Sequence, residues 1–177
     1  MEINFKLTIL FLLPAAFMLL LVACGEGTKP LDDYAALLAP IEDERDKLYQ
    51  RMNDEFDDTF TGLLTAFNSS SQAVQASAIT EFQTFSEEMY NEWDTLLRRF
   101  VQITPPGELM EFHELYQEGF QLYHRAFFDS STSLTIFAAT GQMDNEMVTA
   151  ISNDMMEADR KFTKASAEWA KVQARYK

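Results

Sequence analysis

The residues of this sequence best suited to hold a metal or a haem are its two histidines, His113 and His124. On one helix their separation of 11 residues leaves them within about 20° of the same face but about 16 Å apart along the axis, too far to share an ion. A di-iron carboxylate bundle needs Glu-x-x-His on two helices, and here Met110 and Gln121 stand three residues before the histidines. No Cys-x-x-Cys-His run offers covalent haem attachment. A haem held by histidine and methionine would have to draw on Met52, Met89, Met147 or Met155, and methionine at such positions is chiefly an adaptable core filler. Nucleophilic chemistry has as little to work with. The chain carries one thiol, Cys24, and neither a Gly-x-Ser-x-Gly turn nor a phosphate-cradling glycine loop. The expectation is a protein without metal, cofactor or enzyme activity.

One stretch, "FHELYQEGFQLYH" from 112 to 124, could form a binding site. Tyr116 and Tyr123 are seven apart on one helical face, with Gly119 beside them. A glycine inside a helix costs about 1 kcal/mol relative to alanine, so Gly119 serves either the close approach of a neighbour or a void. A void lined by His113, Tyr116, Gly119, Phe120 and Tyr123 would suit a small aromatic or apolar ligand with one or two polar handles. The alternative is that the tyrosines carry their hydroxyls to the bundle surface and Gly119 only eases packing.

The elements that must position these side chains are four helices. Apolar residues recur at steps of three and four in four stripes, Tyr34 to Phe67, Ala78 to Ile103, Leu109 to Phe137 and Met147 to Tyr176. Pro40 predicts a kink or a restart in the first. "NSSSQ" closes that helix, "TPPGE" separates the second from the third, and Asp144 is placed to cap the fourth. The run "SSTS", 130 to 133, weakens the third helix, but the spacing persists on both sides of it. No segment alternates as a half-buried strand does. Connections this short leave neighbours antiparallel, so the expected fold is all-α, an up-down-up-down four-helix bundle over 34–177.

Fourteen Lys and Arg stand against 28 acidic residues, a formal net charge of −14. Phosphate contacts demand a basic surface, which argues against nucleic acid as a partner. Acidic runs such as "EDERD" (42–46) lack the spaced ligands and turn glycine of a calcium loop and read as a solvated helix face.

Cys24 ends an uncharged run from Leu7 to Ala23, shorter than the roughly 20 residues of a spanning helix and suited to a signal-peptide core. The preceding "LVAC" resembles the bacterial lipobox. That resemblance implies cleavage after residue 23, acyl chains such as palmitate on Cys24, and export to a membrane: the outer face of the cell membrane, or the outer membrane if the cell has one. Two or three chains on one residue make a stable anchor. Residues 24–33 then read as lipidated cysteine and flexible tether, since "GEGTKPLDD" holds two glycines and a proline.

The landmarks "YAALLAPIEDE", "NEWDTLLRRFVQITPPGELMEFHELYQEGFQLYHRA", "TGQMD" and "DMMEADRKFTKASAEWAKV" succeed one another along the chain. Together they resemble a diffuse group of small, uncharacterised bacterial lipoproteins that share a Pro-Pro-x-x-Leu-x-x-x-His junction between helices two and three. The resemblance implies a lipid-anchored helical bundle, and it maps His113 onto a recurrent polar position. The expected role is interaction with another envelope protein or a structural one, with a ligand-binding or sensor module as the alternative.

Overall fold

The computed structural model describes residues 29–69, 71–142 and 144–176. The expected signal segment and Cys24 lie outside the described residues. Four helices follow one another: α1 (Lys29–Phe67), α2 (Gln72–Phe100), α3 (Met110–Thr140) and α4 (Asn145–Ala174), with one 3-10 turn, Gly107–Leu109, leading into α3. Among the described residues there is no strand.

The helix ends follow local chemistry. α1 begins at Lys29, inside the stretch expected to be tether, because Pro30 in the first turn forgoes no helical hydrogen bond and Asp32 sits at the positive end of the helix dipole. The helix continues through Pro40 without interruption. Ser71 caps α2 by accepting from the Val74 N–H, so α2 starts six residues before the apolar stripe. The Asp144 carboxylate accepts from the N–H groups of Glu146 (3.0 Å) and Met147 (3.1 Å) at the start of α4. α3 ends at Gly141, whose φ of 68° lets its N–H reach the Phe137 carbonyl at 2.7 Å. The run 130–133 does not break α3, because Ser130 and Thr132 donate to the Ala126 and Phe128 carbonyls four residues back (2.8 and 3.0 Å).

Sequential helices are antiparallel neighbours, and α3 and α4 have the most extensive contact. α1 packs its backbone only against α2. Among the described residues no Cα of α1 comes within 8 Å of one in α3 or α4, and large side chains bridge that seam. The main core fills the half of the bundle nearer residue 29, where Trp93, Phe100, Leu109, Tyr116, Phe120 and Tyr123 are all at most 1 % exposed. A smaller cluster of Leu63, Phe82 and Leu134 closes the far half, which carries the α1–α2 and α3–α4 turns. No described helix is long and apolar enough to cross a membrane.

Candidate functional site

All five residues of the candidate patch lie buried on one face of α3: His113, Tyr116, Gly119, Phe120 and Tyr123. The space Gly119 leaves is occupied. A Cβ built there would stand 2.9 Å from the Phe162 ring of α4. That ring also lies against Tyr116, Phe120 and Tyr123, with centroids 5.0, 5.4 and 6.2 Å away. The glycine thus lets an aromatic ring sit on the α3 backbone. On the other side of the patch, Trp93 of α2 stacks on Tyr123 at 4.5 Å with an interplanar angle of 8°.

The polar tips of the patch each meet a partner across the seam. Tyr34 Oη of α1 lies 2.9 Å from His113 Nδ1, and the imidazole stacks on Phe100 with centroids 4.2 Å apart. Burial lowers the His113 pKa from its ordinary 6.5, against a smaller opposing pull from Glu114. The ring is therefore neutral near pH 7, with Nδ1 accepting from the Tyr34 hydroxyl. Burial, seconded by the charge of Glu42, lifts the Tyr34 pKa far above the physiological range, so the tyrosine remains a donor.

Next along the seam comes a charged group. Arg45 Nη1 donates to Tyr116 Oη, and the Tyr116 hydroxyl donates to Glu42 Oε1 at 3.4 Å. Arg45 Nε also donates to Asp46 Oδ1 at 2.9 Å. The guanidinium carbon lies 5.2 Å from the Tyr116 ring centroid and 5.4 Å from that of Phe162. Burial opposes the charge on Arg45, but Tyr116, Asp46 and Glu42 outweigh it and raise its pKa. For Glu42, burial raises the pKa more than Arg45 lowers it. The third group is Tyr123, whose hydroxyl donates to Asp159 Oδ1 at 2.6 Å. Tyr49 joins both of them, its ring edge-on to that of Tyr123 at 6.2 Å. Burial raises the Asp159 pKa, although the two tyrosine hydrogen bonds pull it down.

Sequence reasoning missed Glu42, Arg45 and Asp159, and took "EDERD" for a solvated face throughout. Asp43 and Glu44 are indeed exposed, but the Arg45 side chain is only 14 % exposed. The signal was present in the spacing. The first stripe jumps from Ile41 to Leu48, and the missing step, four residues on from one and three before the other, is Arg45. A charged residue at a stripe position marks a buried polar contact.

His124 stands apart from the patch. Its Nε2 lies 3.5 Å from Asp94 Oδ1, and its ring lies tilted at 35° against that of Tyr90, with centroids 4.4 Å apart. Among the described residues no group of three or more His, Cys, Asp and Glu is disposed to hold a metal ion. Two clefts open on the surface away from the patch. One, of about 310 Å³, lies between α1 and α2 over Leu48 and Leu96, with Lys47, Arg51 and Glu92 at its rim. The other, of about 190 Å³, lies between α2 and α3 beside Tyr90 and Phe128.

Charge is segregated along the bundle. From Met52 to Leu97 and from Ala126 to Asp159 the chain contains fifteen acidic residues and no Lys or Arg. Arg51 and Arg125 stand at the boundary, pairing with Glu55, Glu88 and Glu92 and with Asp154 respectively. Beyond them the far half is acidic alone. No family model, no curated protein and no solved structure matches the chain.

Proposed function

We propose that the protein is a lipid-anchored component of a bacterial cell envelope whose helical bundle works by binding another protein rather than by catalysis. Cys24 carries the lipid, the bundle stands off the membrane on the residues after it, and nucleic acid is not a partner. Support for the anchor comes from the "LVAC" spacing and the uncharged run before it. The likeness of the helix junctions to small bacterial lipoproteins agrees with it. The observation that carries the interaction role is the far half of the bundle, where an acid-only surface surrounds exposed apolar side chains. Cross-linking in intact cells tests both parts. Wild type is expected in the membrane fraction with a discrete protein adduct, and Cys24→Ser is expected to be released or to remain unprocessed. A Cys24→Ser protein processed at the same place and still membrane-bound overturns the anchor. Loss of every protein adduct from the wild type overturns the interaction role.

A second reading, a small-ligand or sensor site behind Phe162, is favoured by one specific observation. The Trp93 indole N–H is buried without a hydrogen-bond acceptor among the described residues, beside Tyr123 and Phe120. An unmet buried donor costs about 1–3 kcal/mol, which a ligand carrying an acceptor would recover. Phe162 is only partly buried and belongs to the seam where α1 and α4 touch through side chains alone. A ligand seated there would raise the melting temperature, and Tyr116→Phe and His113→Ala would abolish that rise. An unchanged rise in both variants would exclude the site.

A further inference from the structure

The cleft of about 190 Å³ between α2 and α3 is lined by Glu87, Tyr90, Phe128, Ser131 and Thr132. Two of its walls are aromatic. Phe128 is 54 % exposed, and its ring adjoins that of Tyr90 with centroids 5.8 Å apart. Beside the rings stands a carboxylate held in place by neutral donors. Glu87 Oε1 accepts from Gln83 Nε2 at 3.1 Å and from Ser131 Oγ at 3.4 Å, and among the described residues nothing donates to Oε2. The three arginines of α2 and α3 are engaged elsewhere, Arg98 by Asp94, Arg99 by Glu44 and Arg125 by Asp154. The adjacent Glu88 pairs with Arg51. Glu87 is thus an ordered carboxylate without a counter-charge among the described residues, set against two exposed ring systems in the acid-only half.

We infer that this cleft receives the side chain of a lysine from a partner protein. The proposal rests on the interaction reading above and assigns it a contact and a chemistry. Volume limits the occupant: drug-sized ligands fill roughly 300–1,000 Å³, and this smaller cleft suits one extended side chain. Charge then selects a cation, because an unpaired carboxylate and two aromatic rings all attract one. Among cations, the hydrogen bonds favour an ammonium. Both lone pairs of Oε1 are already used, so the parallel pair of bonds that a guanidinium fork makes with a carboxylate is not open. An ammonium needs only Oε2. Ser131 and Thr132 give their own protons to Glu87 and to the Phe128 carbonyl, which leaves their oxygens to accept the remaining N–H groups. The methylene stem of the lysine lies along Tyr90 and Phe128.

The test uses the full chain in dodecyl maltoside micelles, with threonine methyl groups labelled for NMR so that Thr132 reports on the cleft. The probes are Nα-acetyl-lysine N-methylamide, its Nζ-acetylated form and the arginine analogue. The lysine probe is expected to shift the Thr132 methyl signal to saturation, the acetylated probe to leave it in place, and the arginine probe to bind more weakly. Glu87→Gln should weaken lysine binding about tenfold, and Phe128→Ala about threefold. Both positions are exposed, so both variants should stay folded. Absence of a saturable shift, equal shifts by the lysine and acetylated probes, tighter binding of arginine, or an affinity unchanged in Glu87→Gln overturns the assignment. The source of the amine is read by coupling carboxylates to neighbouring amines with a carbodiimide in isolated native membranes and mapping the adducts by mass spectrometry. A partner protein's lysine on Glu87 is expected. An ethanolamine lipid on Glu87 makes a headgroup the occupant and overturns the partner assignment. Protein adducts confined to other carboxylates overturn the cleft while leaving the interaction role standing. Failure of the interaction role itself shows differently, as the absence of any protein adduct while the lysine probe still fills the cleft, and it removes the partner as the source.

Discussion

The two ends of this bundle solve the packing problem in opposite ways. Near residue 29, aromatic side chains from all four helices interlock, and the seam between α1 and the α3–α4 pair is closed by three polar groups. These are Tyr34 with His113, Glu42–Arg45–Asp46 with Tyr116, and Tyr49 and Asp159 with Tyr123. At the far end the buried cluster is Leu63, Phe82 and Leu134, and α4 contributes none of it. The contrast teaches that the packing of the bundle is unevenly distributed along its axis. One half carries the packing that holds four helices together, and the other adds only a small cluster to it.

Truncating the core separates the two halves most strongly. Trp93→Ala removes a fully buried ring stacked on Tyr123 and should cost about 3–5 kcal/mol in urea unfolding. Phe137→Ala, on a half-buried ring 4.8 Å from Phe67 at the far end, should cost about 1 kcal/mol. Equal losses would erase the contrast.

A smaller effect is expected at Gly119. Its alanine variant would push a methyl into the Phe162 ring. Overpacking costs about 1–3 kcal/mol, and the gain in helix propensity returns about 1 kcal/mol of it. The net loss should be about 1 kcal/mol, and adding Phe162→Leu should relieve it. If the double variant is no more stable than Gly119→Ala alone, the ring is not what the methyl meets.

The near half should also carry a histidine-dependent acid sensitivity. The His113 pKa is lowered in the folded protein from its ordinary 6.5, so below that value the unfolded chain binds the proton more readily. Stability from this residue is complete above pH 6.5 and is lost as pH falls through 6.5 towards the lowered value. Glu42 and Asp159, whose pKa values are raised, act in the opposite sense, since their contribution falls as pH rises above the ordinary carboxylate range. His113→Gln should therefore flatten only the loss below pH 6.5, measured as unfolding free energy against pH. Parallel curves for wild type and variant would remove His113 from the account.

The weakest expected effect lies at the charge boundary. Arg51 is about one-third exposed and its partners are more so, so Arg51→Ala should cost less than about 1 kcal/mol. That cost should shrink further in 1 M NaCl, where the screening length is about 3 Å. A loss as large as that of Trp93→Ala, or one indifferent to salt, would mean that the boundary arginine holds the halves together.

The helices were legible because apolar spacing, a capping aspartate and two prolines act over a few residues and do not depend on what lies across the bundle. The exceptions were helix starts. α1 begins at Lys29 and α2 at Gln72, since capping and first-turn residues extend a helix beyond its buried stripe. The patch on α3 was legible as a shared face, but its surroundings were not. Nothing in "FHELYQEGFQLYH" specifies that Phe162, 43 residues after Gly119, takes the space the glycine leaves. Arg45 lay between these cases, visible as a gap in a stripe but easily absorbed into an acidic run.

By itself, the sequence determined four helices, their order, an acidic and thiol-poor domain and the buried face of each stripe, because periodicity and charge are local or additive properties. Only the tertiary structure decided which partner the patch's polar atoms meet, that α1 touches α3 and α4 through side chains alone, and that the main core gathers in the half nearer residue 29. Those outcomes depend on how distant segments are rotated and levelled against one another. That geometry is set by side chains competing for the same space, and no single segment encodes it.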